Sequence, residues 1–241
     1  MTGRERLVLP LDMDDPGKAM ALARSLADFV GVFKVGPGLI LSGGPGVVAQ
    51  LKALGRGVFL DMKFHDIPET VGRTCRNAVE LGVEMLTVHA AGGRRMMRAA
   101  AEAVAAAGGK GRTKVLAVTV LTSISPEELA ETYATKDSVE DYVLRWAGLA
   151  LDSGADGVVC SPRELVPLRA SRGRGFLTVV PGIRSAKDGP DDQRRTMPAG
   201  EAVRAGADYL VVGRPIIAAP DPVAAAQGII KEMEEAANAR K

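Results

Sequence analysis

The sequence predicts a single-domain α/β protein, a (β/α)8 TIM barrel spanning residues 1–241, and three observations predict it. Short apolar, β-branched runs recur eight times along the chain. Alanine-rich stretches bearing helix caps fill the gaps between them. Polar residues gather at or just past the C-terminal ends of different runs, and in a barrel those ends converge on one mouth, where active sites sit. Near-continuous apolar strands suit a parallel sheet covered on both faces, and eight strand–helix units fit about 250 residues. A doubly wound open sheet shares this periodicity, but it would spread the strand-end residues along a line.

Strands are expected at 7–12, 30–35, 58–62, 85–89, 115–121, 157–160, 177–181 and 209–212. Most gaps can hold a crossover helix. Asp14, Asp15 and Pro16 offer a cap and a first-turn proline before the helical spacing of Ala19, Met20, Ala23 and Leu26. A helix over 96–107 is rich in alanine and stops at Gly108 and Gly109. Ser125, Pro126, Glu127 and Glu128 open another with a cap, a proline and acidic first-turn residues. The fifth gap, 122–155, has room for an extra short helix. No linker or composition shift divides the chain, which implies one domain.

Composition excludes several classes of function. With 31 basic and 29 acidic residues the formal net charge is +2, which gives no support for nucleic-acid binding driven by bulk charge. No apolar run approaches the roughly 18 residues of a membrane span, and the apolar stretch at 7–11 is too short for a signal peptide. Cys75 and Cys160 stand outside any Cys-x-x-Cys pattern and read as buried thiols. A cytoplasmic protein is the expectation. Two histidines, His65 and His89, are too few for a histidine-rich metal site, a count that leaves carboxylate-bound magnesium open.

The densest chemistry lies at the end of the third strand, in Asp61, Met62, Lys63, Phe64, His65 and Asp66. Period two puts Asp61 and Lys63 on one face. Charges aimed into a barrel mouth are costly unless paired with one another or with a ligand. Taken alone, Asp-x-Lys is a salt-bridged strand end. Asp12 and Lys34 end two other strands and can reach the same mouth, which favours a polar site, although Asp12 can also cap the following helix and Lys34 can snorkel to solvent. His89 can line the mouth or hydrogen-bond structurally, and His65 reads as a loop residue that orders the backbone.

A second group closes the seventh and eighth strands. Pro181, Gly182, Ile183 and Arg184 follow one, and Gly213, Arg214, Pro215 and Ile216 follow the other. Glycine lets backbone approach an anion, Pro215 can start a short helix whose free N–H groups face it, and Arg214 supplies a guanidinium fork. The loops after strands seven and eight are the common phosphate site of this fold. The polar segment 185–198 between them is long enough to serve as a lid, and Gln193 has both a donor and an acceptor with which to bridge phosphate and base.

These segments resemble the orotidine 5′-phosphate decarboxylase family. The resemblance rests on Leu11–Asp12, Phe33–Lys34–Val35–Gly36, the run from Asp61 through His65, Asp66, Ile67 and Pro68 to Thr70, Val88–His89–Ala90, Leu121–Thr122–Ser123, Pro181 to Arg184, Asp192–Gln193 and Gly213 to Ile216. They run in family order through nearly the whole chain. Glu69 stands where many relatives carry asparagine.

The resemblance implies a homodimer with two sites at its interface. Lys34, Asp61 and Lys63 would come from one chain, with Asp66, Ile67 and Thr70 reaching in from the other. Asp12 would hold the ribose beside Lys34, and Thr122 would lie near pyrimidine and ribose. Pro181, Arg184, Gln193, Gly213 and Arg214 would complete the substrate and phosphate contacts. The implied reaction converts orotidine 5′-monophosphate into UMP and CO2, with Lys63 as proton donor and with no metal or cofactor. Two alternatives stand beside it. One is a related magnesium-dependent sugar-phosphate barrel enzyme, whose family places an acidic residue where Lys34 stands. The other is a catalytically silent phosphate-ligand binder.

Overall fold

The computed structural model describes residues 1–108, 113–184 and 195–239. Its strands are β1 (Leu7–Pro10), β2 (Val32–Val35), β3 (Gly57–Phe64), β4 (Met85–His89), β5 (Lys114–Val118), β6 (Gly157–Val159), β7 (Leu177–Val180) and β8 (Tyr209–Val211). They close into a barrel in sequence order. Every neighbouring pair is parallel, including the seam where Leu7 and Val8 lie opposite Leu210 and Val211. The open-sheet alternative is therefore excluded.

Helices alternate with the strands. Among the described residues they are α1 (Gly3–Arg6), α2 (Pro16–Leu26), α3 (Pro37–Gly43), α4 (Gly46–Ala53), α5 (Pro68–Glu80), α6 (Gly93–Ala106), α7 (Pro126–Tyr133), α8 (Val139–Leu151), α9 (Leu165–Arg172), α10 (Ala199–Ala205), α11 (Arg214–Ile217) and α12 (Pro222–Asn238). Their starts follow the sequence signals. Asp15 caps α2 by accepting from the N–H groups of Gly17 and Lys18, and α2 buries Ala19, Met20, Ala23 and Leu26. Ser125 caps α7 through the Glu128 amide. The long fifth gap holds the extra short helix α7 ahead of α8.

Two apolar layers form the core. Leu7, Leu9, Phe33, Leu60 and Leu86 face outward beneath the helices. Val8, Val32, Phe59, Met85, Leu116 and Val179 fill the barrel. Alternation along each strand fixes what comes next. Above Val32 the next inward residue is Lys34, above Phe59 it is Asp61, and above Met85 it is Thr87. On β2, β3 and β4 the barrel thus changes from an apolar plug to a charged or polar layer within one pleat, while Pro10 and Val118 keep the neighbouring wall apolar.

Several strands end before the expected residue. β1 stops at Pro10 and β5 at Val118, although Leu11 and Thr119 still donate to Lys34 O and Val159 O. Beyond these bonds the backbone turns, with Met13 N donating to Leu11 O and Ile124 N to Leu121 O. β3 instead runs longer, through Phe64. Leu60 pairs with Leu86 and Phe64 with Val88, so four steps on β3 match two on β4. This bulge puts two extra residues into β3 where Asp61, Met62 and Lys63 lie. No helix among the described residues is long and apolar enough to cross a membrane.

Candidate active site

The C-terminal mouth encloses a cavity of about 540 Å³. One wall carries Asp12, Lys34, Asp61 and Lys63, and the other carries Pro181, Arg184, Gly213 and Arg214, with Thr122 between them. Both clusters anticipated from the sequence therefore open on one space, as strand-end residues of a barrel do.

On the first wall charges alternate. Lys34 Nζ lies 3.0 Å from Asp12 Oδ1 and 3.3 Å from Asp61 Oδ2. Lys63 Nζ lies 2.9 Å from the same Asp61 oxygen. Lys34 is thus buried in ion pairs rather than extended to solvent, and Asp12 pairs across strands while Asp15 does the capping. The other Asp61 oxygen accepts from the Thr87 hydroxyl at 3.0 Å. Burial by itself raises the Asp61 carboxyl. The charges of Lys34 and Lys63, with hydrogen bonds from Lys63 and Thr87, outweigh it and hold the group below the usual carboxylate range.

The middle of this chain of charges is buried and its two ends are open, with the Asp12 side chain 62% exposed. The side chains of Lys34 and Asp61 are 11% exposed, and that of Lys63 is 38% exposed. Lys63 also has φ 49°, left-handed backbone that is uncommon for a residue with a Cβ. The bulge accommodates this conformation, and bulges beside active sites re-aim a side chain in this way. Period two in the sequence does put Phe59, Asp61 and Lys63 on the cavity side, but it gives no sign of the turn in backbone that presents the lysine.

On the opposite wall, Gly182 takes φ 80°, which favours glycine. Arg184 N donates to Met197 O, and Met197 N donates to Gly182 O. Pro215 opens the short helix α11 as expected. The amides of Ile216 and Ile217, however, both donate to Gly213 O. They are already satisfied, so these two N–H groups are not turned to the cavity for an anion. At Gly213 a Cβ would come 2.9 Å from Pro10 Cγ, so a closely packed β1 also requires glycine there. Gln193 lies outside the described residues, as does most of the expected lid.

Asp66, Ile67 and Thr70 do not line the cavity of the single chain. Asp66 accepts from the Ile67 amide at 2.6 Å, and Ile67 is 65% exposed. His89 also stays out of the cavity. Its Nδ1 accepts from Ala91 N, and its ring stacks on His65 at 5.5 Å and meets Trp146 edge-on. Burial, then the charges of His65 and Lys63, push His89 below the ordinary imidazole range.

Two contributors escape the sequence reading. Thr87 is fully buried beneath the charged wall. Arg195 pairs with buried Glu164 at 2.6 Å and donates to Leu121 O, so it braces the strand end that carries Thr122. Thr87 left one usable trace, a polar residue at the inward position between Met85 and His89. Arg195 left none, because its partners lie 31 and 74 residues away.

Fold and site together define a (β/α)8-barrel enzyme with opposed charges at its C-terminal mouth. The family model for the orotidine 5′-phosphate decarboxylase / HUMPS family matches residues 5–229, and the chain belongs to that family. It is 47% identical over 237 residues to an orotidine 5′-phosphate decarboxylase of Moorella thermoacetica, covering 97% of this chain and 94% of that one. It is 50% identical over 234 residues to the enzyme of that name from Halorhodospira halophila, covering 97% and 98%. The crystal structure of orotidine 5′-phosphate decarboxylase from Lactobacillus acidophilus superposes with a TM-score of 0.82 at 37% identity, covering 94% of this chain and 98% of that one.

Proposed function

We propose that this enzyme decarboxylates orotidine 5′-monophosphate to UMP and CO2, the last step of de novo pyrimidine nucleotide synthesis, without a metal or organic cofactor. The observation that carries the reading is the Asp12–Lys34–Asp61–Lys63 array on one wall of a cavity whose other wall holds Arg184 and Arg214. One wall suits a ring that must lose a carboxylate, and the other suits a phosphate.

Loss of CO2 from C6 leaves an electron pair in the plane of the ring, where the pyrimidine π system delocalises it poorly. The site must therefore supply a fixed cation beside C6 and then a proton. Lys63 can do both. Its ammonium stabilises the carbanion as it forms, transfers a proton to C6 to give UMP, and is reprotonated from solvent. Lys34 and Asp61 hold that ammonium in place.

Asp61 would face the departing carboxylate. A unit-charge contact at about 4 Å is worth about 4 kcal/mol at an effective dielectric near 20. Enzymes lower barriers by roughly 8–23 kcal/mol. Repulsion from Asp61 alone is too small, so most of the effect must come from a preorganised Lys63 and from phosphate binding energy expressed in the transition state. In this scheme Arg184, Arg214, Gly213, Pro181 and Gln193 bind the phosphate side, and Asp12 and Thr122 bind ribose and base.

The metal-dependent alternative is disfavoured by the donor set. Lys34 puts an ammonium between Asp12 and Asp61, so a cation already fills the space that a divalent ion would need. A homodimer follows from the same reading, with Asp66, Ile67 and Thr70 completing the partner's site; support comes from their position outside the cavity of their own chain. The two buried free cysteines, Cys75 and Cys160, support a reducing compartment and hence the cytoplasm.

The test is UMP formation from orotidine 5′-monophosphate with and without EDTA. Turnover undiminished by the chelator is expected. Loss of turnover with EDTA and its return with magnesium would overturn the metal-free scheme, absence of UMP formation under both conditions would favour the sugar-phosphate alternative, and binding without product would favour the silent binder.

A further inference from the structure

The β3 bulge leaves a problem that the backbone cannot solve by itself. Two extra residues interrupt the ladder between the Leu60–Leu86 and Phe64–Val88 pairs. The Lys63 amide falls within the interruption, at φ 49°. An amide without a partner there would carry the cost of an unmade hydrogen bond, and left-handed backbone at a residue with a Cβ adds strain to it. Such a conformation persists only where its surroundings enforce it.

Thr87 is the residue of β4 that stands opposite the gap. Its hydroxyl accepts from Lys63 N at 2.8 Å and donates to Asp61 Oδ1 at 3.0 Å. A hydroxyl has one donor and can accept at the same time, so a single oxygen serves both ends of the bulge. The side chain is fully buried and sits in the inward row directly above Met85, where water cannot easily take its place. The two bonds also divide the work of the Asp61 carboxylate. Oδ1 is turned to Thr87, and Oδ2 is left to face both Lys34 and Lys63.

We propose that Thr87 is a positioning residue for the reaction: through one hydroxyl it fixes the left-handed Lys63 backbone and the rotation of the Asp61 carboxylate, and so aims the Lys63 ammonium. Thr87 touches neither substrate nor the reacting atoms. It acts through two residues that do, and this rests on the decarboxylation proposed above. Its hydrogen bond also helps to keep Asp61 ionised, alongside the two lysines.

The test compares three variants by steady-state kinetics on orotidine 5′-monophosphate, with circular dichroism as the check on folding. Thr87→Val keeps the shape and removes the hydroxyl. Its kcat is expected to fall roughly 10- to 100-fold, the scale of a small misplacement at a reacting centre, with KM changed less than about threefold. The acid limb of its kcat profile is expected to move to higher pH, because Asp61 loses a bond that favours its charged form. Thr87→Ser restores the hydroxyl and is expected to recover most of kcat and the original limb. If the valine variant does not fold, Thr87→Cys, similar in size with a weaker donor and acceptor, is expected to show the same loss in kcat.

A folded Thr87→Val enzyme with unaltered kcat and acid limb would overturn the role, and so would a serine variant as impaired as the valine one. Wild-type protein that forms no UMP would instead defeat the proposed decarboxylation, so the two failures are distinguishable.

Discussion

Arg169 and Lys63 are both cations held against a carboxylate, yet their surroundings differ in kind. Arg169, on α9, lies near the N-terminal ends of β7 and β8 and is 8% exposed. Its Nε donates to Gly206 O, its Nη1 to Phe176 O, and its Nη2 to Thr178 Oγ1, Gly206 O and Asp208 Oδ2. Asp208 in turn accepts from the Thr178 amide, and Phe176 lies 4.6 Å from the guanidinium carbon. Lys63, at the opposite end of the barrel, is 38% exposed, pairs with Asp61, and sits on left-handed backbone. The lower network is saturated with bonds and lies away from the cavity. The upper one keeps ammonium donors available at a cavity and is more strained. A chain with one stability to divide has put saturated bonding where nothing must react and left bonding capacity where something must.

Four measurements would break or sharpen that contrast. The largest effect is expected from Lys63→Ala, which should lower kcat by at least about 10³-fold, within the range of a lost general acid that also supplies charge. Its thermal midpoint should stay near or above wild type, because removing a functional group from strained backbone costs the fold little. Near-normal UMP formation by the folded variant would reject the assignment of Lys63. Arg169→Ala should do the reverse. It leaves a carboxylate and several carbonyls without their donor and should cost about 3 kcal/mol in denaturant unfolding, with kcat within about twofold of wild type. Equal losses in stability from both substitutions would erase the distinction between the two ends.

Arg214→Ala comes next. Removing a charge-assisted contact of about 1.5–3 kcal/mol should lower kcat/KM by roughly 10- to 100-fold, and an unchanged kcat/KM would remove Arg214 from the phosphate site. The smallest effect concerns acid. Asp61 ionises in the folded protein below its ordinary value of 3.8. Its pairing therefore adds stability that is complete above that value and is lost as pH falls through the lower folded one. Asp61→Asn should flatten the stability profile on the acidic side of 3.8. An equally steep acid loss in the variant would mean that other carboxylates govern it.

The proposed homodimer has a direct test of its own. Lys63→Ala and Asp66→Ala proteins, each inactive alone, should regain activity when mixed and allowed to exchange subunits, since each hybrid holds one intact site. A random mixture should reach about a quarter of wild-type turnover. No recovery would argue that Asp66 serves its own chain.

Much of this was legible in the sequence. The eight β-branched runs announced a parallel α/β sheet, because strands buried on both faces leave little choice of residue, and the polar residues at their ends distinguished a barrel from an open sheet. The strand-end rule brought Asp12, Lys34, Asp61, Lys63, Thr122 and Arg184 to one cavity. It left His89 open between lining the mouth and bonding structurally, and the second holds: its Nδ1 accepts from Ala91 N and its ring stacks on His65 and meets Trp146 edge-on; an inward direction along a strand does not decide where a ring settles once aromatic neighbours are available. The bulge in β3 was not legible, since Asp-Met-Lys reads as ordinary alternation until the partner strand is known. The Glu164–Arg195 and Arg169–Asp208 pairs were hidden for a related reason, because they join elements far apart in the chain and leave no local pattern. The amides of α11 show a subtler gap: Pro215 does open a helix, but a turn this short spends its early amides on Gly213 O.

The seam between β1 and β8 bears on how the protein comes into being. Leu7 must wait for Leu210 before the barrel can close. The opposed charges of Asp12, Lys34, Asp61 and Lys63 are all made early during synthesis, whereas Arg184 and Arg214 emerge late. A growing chain therefore carries its repelling and attracting groups long before it has the two arginines of the opposite wall. The last strand completes the wall of β-structure and the arginine-bearing side of the cavity together, so a ribosome-bound chain lacking it has neither a closed barrel nor a complete cavity.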